Sequence, residues 1–256
     1  MFLLDIRKNI LSLQLPLAVL IVLLFCIGSS FNWIVFMLKT GAQEVVVTFD
    51  DAVIAQPVLL PATLSIASAF PVYAYCQDWK NGYWKPVVLR VGKHIYLKQK
   101  PIGVFLQAGV TVLLGEALFV IALLICGHVS GAPLEYPDGG STCLIPGHPF
   151  VYFTLCILTQ SAAAGFWSML TMLLASWQMD VFVAIAAPLA LYVFLQYLLH
   201  ILAGVNLAGM ASLRFLPNAP YASAAAGILF FGILSLLCTQ GIQYLIERRI
   251  ENEHLA

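Results

Sequence analysis

Glu116 is the residue in this chain best placed to do chemistry. It stands in the run Leu113-Leu114-Gly115-Glu116-Ala117-Leu118, with apolar sequence continuing on both sides. A carboxylate in hydrocarbon costs several kcal/mol, so an ionisable group at such a position is a functional candidate by default. Its chemistry would be uptake and release of a proton or a small cation, driving a gradient-coupled transporter. The structural alternative is a neutral or hydrogen-bonded carboxyl facing other helices. Gln160, Gln196 and Asn206 are neutral polar residues of apolar stretches that, with Glu116, are candidates for a translocation path. Helix packing is the competing use of such residues, and small pairs at fourfold spacing such as Ser161 with Gly165 suit it.

The other reactive residues form weaker constellations. Ser130, within Gly127-His128-Val129-Ser130-Gly131, and His200 have the types of a serine–histidine hydrolase pair. A nucleophilic serine needs a base within hydrogen-bond reach and oxyanion donors, and Ser130 is expected at a membrane edge with no histidine in the last apolar stretch. Cysteines at 26, 76, 126, 143, 156 and 238 show no CxxC and no zinc spacing. Five lie in or at the ends of apolar stretches as small fillers, and Cys143 alone falls in a long loop, where Cys126 or Cys156 is a potential disulfide partner. Gly92-Lys93 is the one Gly-Lys pair and belongs to no GxxxxGK[ST], so the chain has no P-loop and is expected to bind no cofactor and to be no enzyme itself.

These residues must be positioned by helices in a membrane. Of 256 residues, 61% are hydrophobic and only 9% charged, too little polar surface to solvate a globule of this size. About 20 apolar residues cross the hydrocarbon as a helix. Stretches at 15–38, 54–77, 101–127, 151–177, 181–203 and 221–246 qualify, which predicts an all-α integral membrane protein of six transmembrane helices in a single domain over 1–256. Pro16 and Pro101 open the first and third stretches, and the first runs on too far for a signal-peptide core. With the N-terminus inside, Arg7, Lys8, the six basic residues from Lys80 to Lys100, Arg248 and Arg249 are cytoplasmic, ten of the 12, against Lys39 and Arg214 outside. Both termini are then cytoplasmic, and Glu44, Asp50, Asp51, Glu135 and Asp138 lie in outer loops. A formal net charge of zero argues against a nucleic-acid partner.

One segment breaks the apolar pattern. Asp78-Trp79-Lys80-Asn81-Gly82-Tyr83-Trp84-Lys85-Pro86, continuing through Arg90, Lys93 and Lys98 to Lys100, holds half of the basic residues. It turns at Asn81-Gly82 and carries aromatic rings among charges, a composition that suits docking into a groove of another protein. A basic loop resting on anionic lipid headgroups is the alternative.

The pattern as a whole resembles the permease subunits of ABC exporters of the second class. In that family a short cytoplasmic coupling helix joins the second and third spans, with an acidic residue, a glycine and a basic, proline-containing stretch ending in lysine. Asp78, Gly82, Pro86, Arg90, Tyr96 and Lys100 match that arrangement, and Asp180 sits in a very short inner turn before the fifth span. The amphipathic N-terminal helix of the family is reduced to Phe2, Leu3, Leu4 and Ile6 with Asp5, Arg7 and Lys8. The resemblance implies a permease in the plasma membrane of a bacterial cell, paired with a second permease subunit as a homo- or heterodimer. It also implies two separate ATPase subunits holding ATP and magnesium, with export of a peptide, antibiotic or lipid. Asp78, Trp79, Lys80, Gly82, Tyr83, Trp84 and Lys85 would couple to the ATPase, and Arg90, Lys93, Lys98 and Lys100 would line the inner membrane interface. A re-entrant hairpin on the outer side is expected over 204–220. A membrane partner protein that transports nothing is the third reading of the composition.

Overall fold

The structure is a computed structural model that describes residues 14–40, 45–50, 52–53, 59–127, 129, 148–178, 180–203, 211 and 220–254. Among these every regular element is helical. In chain order they are α1 (Gln14–Ser29), α2 (Phe31–Thr40), α3 (Val45–Asp50), α4 (Leu59–Lys80), α5 (Trp84–Val91), α6 (Lys93–Cys126), α7 (Pro149–Gln178), α8 (Val181–Ala203) and α9 (Pro220–His254). The helices over Lys93–Cys126, Pro149–Gln178 and Tyr221–Asn252 are long and apolar enough to cross a membrane, and α1 with α2 makes a fourth span if that bent pair is one. The chain is thus a membrane-embedded helical protein. Helices α4 and α8 run beside these within the same bundle. The hairpin expected over 204–220 lies outside the described residues apart from Ala211 and Pro220, as do the N-terminal segment, Ser130, Cys143 and Asn206.

Helix α7 is the centre, packing against α4, α6, α8 and α9. Its residues explain that place. Ser161, Ala163, Ala164, Gly165, Ser168 and Ala175 are small and buried, so neighbouring helices approach closely. A Cβ at Gly109 of α6 would stand 3.2 Å from the Ser161 carbonyl oxygen, and one at Gly165 would stand 2.5 Å from the Phe105 ring. The Ser168 hydroxyl donates to the Val104 carbonyl at 3.4 Å. Pairing of Val104 with Ser168 and Gly109 with Ser161 sets α6 and α7 antiparallel. In lipid, where apolar surfaces gain nothing from leaving water, this close packing is what holds helices together.

Contacts at the ends define two poles. At one, polar pole, the end of α4, the starts of α6 and α8 and the end of α9 meet through ion pairs, and Arg249 of α9 hydrogen-bonds the end of α7. At the other, α2 and α3 cover the end of α6 and the start of α7: a Cβ at Gly127 would lie 2.8 Å from the Met37 sulfur and 2.9 Å from Val45. Two buried clusters follow this division. The larger joins Tyr75, Trp79, Trp84, Trp167, Phe231 and Ile242. The smaller joins Val22, Cys26, Phe49, Phe119, Tyr152 and Phe153.

Three of the long helices depart from the apolar stretches that predict them. The straight span expected over 15–38 is broken, with α1 and α2 bent by 63°. The Ser29 and Ser30 hydroxyls both donate to the Cys26 carbonyl, at 2.9 and 2.7 Å, and such back-bonding in consecutive serines bends a helix. Pro101 lies inside α6, because the helix starts at Lys93 and its first turns are polar. Helix α9 likewise continues past the apolar stretch, since Ile242, Ile246 and Ile250 keep one stripe buried at fourfold spacing.

Helix α1 lies on α6 where Gly115 leaves room: a Cβ there would sit 2.6 Å from Cγ1 and 2.9 Å from Cβ of Val22, a fully buried, β-branched side chain with little rotamer freedom. Gly115→Ala is expected to destabilise the bundle by about 1–3 kcal/mol through overpacking. A thermal melt in detergent, with Gly103→Ala as the variant that meets nothing within 4 Å, checks it.

Candidate functional site

The polar pole is built from the end of α4. Gly82, at φ +71°, closes that helix: its N–H donates to the Trp79 carbonyl at 3.0 Å, and the Tyr83 N–H donates to the Asp78 carbonyl at 2.9 Å. This is a Schellman closure, which needs a left-handed residue where glycine sits. Helix α5 then starts at once, and Gly92, at φ +90°, turns the chain into α6. The connector is therefore a short helix hung between two glycine hinges.

Stacked rings lock it in place. Trp79 of α4 and Trp84 of α5 stack with centroids 4.5 Å apart and planes 8° from parallel, and Tyr75 lies 6.3 Å from Trp79. All three are buried, and the Tyr75 hydroxyl is 3.4 Å from that of Ser176 on α7. Trp84 and Val88 make the buried face of α5, leaving Lys85, Pro86, Leu89 and Arg90 exposed. Leu89 is 83% exposed, a large apolar side chain standing out between two cations.

Charges tie the surrounding ends. Lys100 bonds Asp78 at 2.9 Å, Lys80 lies 3.8 Å from Asp180, and Lys93 reaches Glu247 at 2.9 Å and Glu251 at 2.7 Å. Lys93 belongs to the polar turns before the apolar part of α6, and its hydrogen bonds to Glu251 and then Glu247 raise its ammonium above the usual lysine value. Arg249 of α9 donates to the Trp177 carbonyl of α7 at 2.8 Å. Asp180 also accepts from the Phe182 N–H at 3.2 Å and so caps α8. Exposed pairs of this kind contribute roughly 0–1 kcal/mol each. They align ends whose depth the buried rings determine.

The predicted coupling set is thus divided by the fold. Trp79 and Trp84 face inward and position α5, Asp78 is half-buried and paired with Lys100, and Lys93 is engaged with α9. Lys80, Tyr83, Lys85, Arg90 and Lys98 are exposed. The rings of Trp79 and Trp84, expected on a docking surface, are core. Leu89 is the large apolar side chain that stands outward on α5 instead. The spacing of Trp84 and Val88 against Lys85 and Leu89, each four apart, is the sequence signal that marks the two faces.

The translocation candidates do not converge on one level. Glu116 is fully buried and neither carboxylate oxygen has a hydrogen-bond partner among the described residues. Gln160 is buried on α7 beside Ser161, the residue opposite Gly109, so Glu116 lies about two turns farther along α6. Gln196 is half-buried on α8, which packs against α4 and α7. Asp50, read as an outer-loop residue, is instead 3% exposed at the end of α3 and accepts the Tyr152 hydroxyl at 2.7 Å. The valines and Phe49 ahead of it fold as a short helix that carries it inward.

No protein-family model matches the chain, and neither a curated protein nor a solved structure matches it.

Removing the buried ring should be felt through the fold. Trp84→Ala is expected to cost about 3–5 kcal/mol, whereas Tyr83→Ala, at an exposed position, should change stability by no more than about 0.5 kcal/mol. Unfolding of the purified variants in denaturant measures both.

Proposed function

We propose that this chain is the six-span permease subunit of an ATP-driven exporter of the second ABC class, with the polar pole cytoplasmic and both termini on that side. The observation that carries the proposal is α5: a short helix rigidly stacked between α4 and α6, presenting Lys85, Leu89 and Arg90 outward. An apolar anchor ringed by charge fits the centre of a protein interface. A rigid mount is what such a role needs, because a connector can bias the spans only if displacement at Leu89 is passed to α4 and α6 rather than absorbed. The Trp79–Trp84 stack and the hydrogen-bonded turn at Gly82 supply that mount. Eight basic residues at this pole, Lys80, Lys85, Arg90, Lys93, Lys98, Lys100, Arg248 and Arg249, support its cytoplasmic placement by the positive-inside rule.

In this reading a separate ATPase holds ATP and magnesium, and closure of its nucleotide-bound dimer pushes α5. The permease, in the plasma membrane of a bacterial cell, contributes no bond chemistry and works as one of two permease subunits. ATP binding to the partner shifts the balance between inward-facing and outward-facing states, by as much as the partner's affinities for them differ. The exported substrate is a peptide, an antibiotic or a lipid.

The test is copurification in mild detergent. The wild-type chain should retain a P-loop ATPase and stimulate its hydrolysis, and Leu89→Glu combined with Arg90→Glu should lower retention by about tenfold or more, as loss of a 1.4 kcal/mol anchor requires. Membrane insertion and the melting temperature should stay unchanged. Full retention by the double variant, or no ATPase with the wild type, overturns the proposal.

A further inference from the structure

Glu116 points to a second site, independent of the docking face. It follows Gly115 of α6, the residue against which Val22 of α1 packs. Its two oxygens are unpartnered among the described residues and fully enclosed. A bare buried carboxylate is too costly to keep, so the site requires a ligand that neutralises it. A metal ion needs several oxygen or nitrogen donors, and no group of His, Cys, Asp and Glu among the described residues is arranged to hold one. A proton needs only the carboxyl itself.

The geometry also gives the side of access. Glu116 is about 15 Å along the helix from Cys126 and about 24 Å from Lys100, so the pole of α3 is nearer. One turn toward that pole stands Phe119, and Phe49 of α3 stacks on it at 6.4 Å while meeting Phe153 of α7 edge-on at 5.0 Å. Beside this aromatic layer the buried Asp50–Tyr152 pair ties the end of α3 to α7. Val45, Val46 and Phe49 are all buried, so α3 fills the end of the bundle as a plug. Among the described residues the titratable groups facing this region are Cys26 of α1, Asp50 of α3, and Tyr152 and Cys156 of α7, while Cys126 at the end of α6 is half-buried and Lys39 and His148 at the same pole are exposed.

We propose that Glu116 is a proton-binding site entered from the α3 pole, with α3 as its gate, the Phe49 ring as the barrier and the Asp50–Tyr152 hydrogen bond as the latch. Opening of α3 parts the latch and lets a proton pass from water to a Glu116 oxygen, where it stays as the neutral acid until the path reopens. No bond other than O–H is made or broken.

Carbodiimides report such a site, because the reagent takes the acid's proton on nitrogen while the carboxyl oxygen adds to its central carbon. The full chain is placed in lipid nanodiscs and treated with membrane-soluble dicyclohexylcarbodiimide or with a charged, water-soluble carbodiimide, and adducts are mapped by mass spectrometry. The membrane-soluble reagent should modify Glu116 in the wild type and nothing at that position in Glu116→Gln. The charged reagent should modify wild-type Glu116 sparsely, and Phe49→Ala, which opens the barrier, or Tyr152→Phe, which removes one hydrogen bond, should raise that labelling by about tenfold. Tyr152→Phe removes a single oxygen and decides the matter if Phe49→Ala does not fold. Equal labelling by the charged reagent in wild type and Tyr152→Phe removes the gate, and absence of Glu116 adducts with the membrane-soluble reagent removes the proton site. Neither readout involves an ATPase, so the docking proposal stands or falls separately.

Discussion

Backbone-close packing of α6 against α7, at Gly109 and Gly165, is the constraint on which the bundle rests. Lipid tails are as apolar as leucine, so helices in a membrane gain little by hiding greasy surface from them. Association must come from dense contact, and dense contact needs small residues on facing surfaces. Helix α7 supplies these on several faces and accordingly packs against four other helices. Once the register of α6 on α7 is set, so is the depth of every polar residue on α6: Gln107 and Thr111 lie level with the serines of α7, and Glu116 lies beyond them, level with apolar and aromatic side chains.

The same logic separates the two poles. At the polar pole the chain must place charge near headgroups and also join α4 to α6 within a dozen residues. It does so with one buried aromatic stack and several exposed ion pairs. The stack is dry and directional, so it determines where α5 sits. The pairs are wet and individually weak, so they adjust to it. At the opposite pole there is no such wealth of charge among the described residues, and closure is apolar: α2 turns aside at the paired serines, and α3 dips into the end of the bundle with one carboxylate bonded to one tyrosine.

How much of this was legible in advance depended on the length scale of the signal. Apolar stretches of about 20 residues are long-range signals, and the helices over 59–80, 149–178, 181–203 and 220–254 fall close to the predicted stretches. The island from Asp78 to Lys100 was equally visible, because charge in an apolar chain has few places to go. Its internal division showed only within α5, in the fourfold spacing of Trp84 and Val88 against Lys85 and Leu89. Trp79 and Trp84 are interfacial or docking rings by type and by position, and only the turn at Gly82, which folds α5 back on α4, brings them face to face. The bend at Ser29-Ser30 was hidden for a related reason: two serines in a long apolar run leave its hydropathy almost unchanged, while their hydroxyls redirect the carbonyls of the preceding turn. Asp50 reads as loop because a six-residue helix is too short to announce itself as buried.

The sequence by itself determined that the chain is helical and membrane-embedded, that it carries no P-loop, that its charge gathers between the second and third apolar stretches, and that Glu116 is the exceptional residue within them. Those properties are one-dimensional: they depend on composition and spacing along the chain. Tertiary structure decided which residues of the island face outward, that Leu89 stands among them, that α3 plugs the far end, and that Asp50 and Tyr152 meet. These depend on pairs of residues from 5 to 102 positions apart in the chain, brought together by close helix packing and two glycine turns. No local pattern encodes that proximity, because it belongs to the packed bundle and not to any one helix.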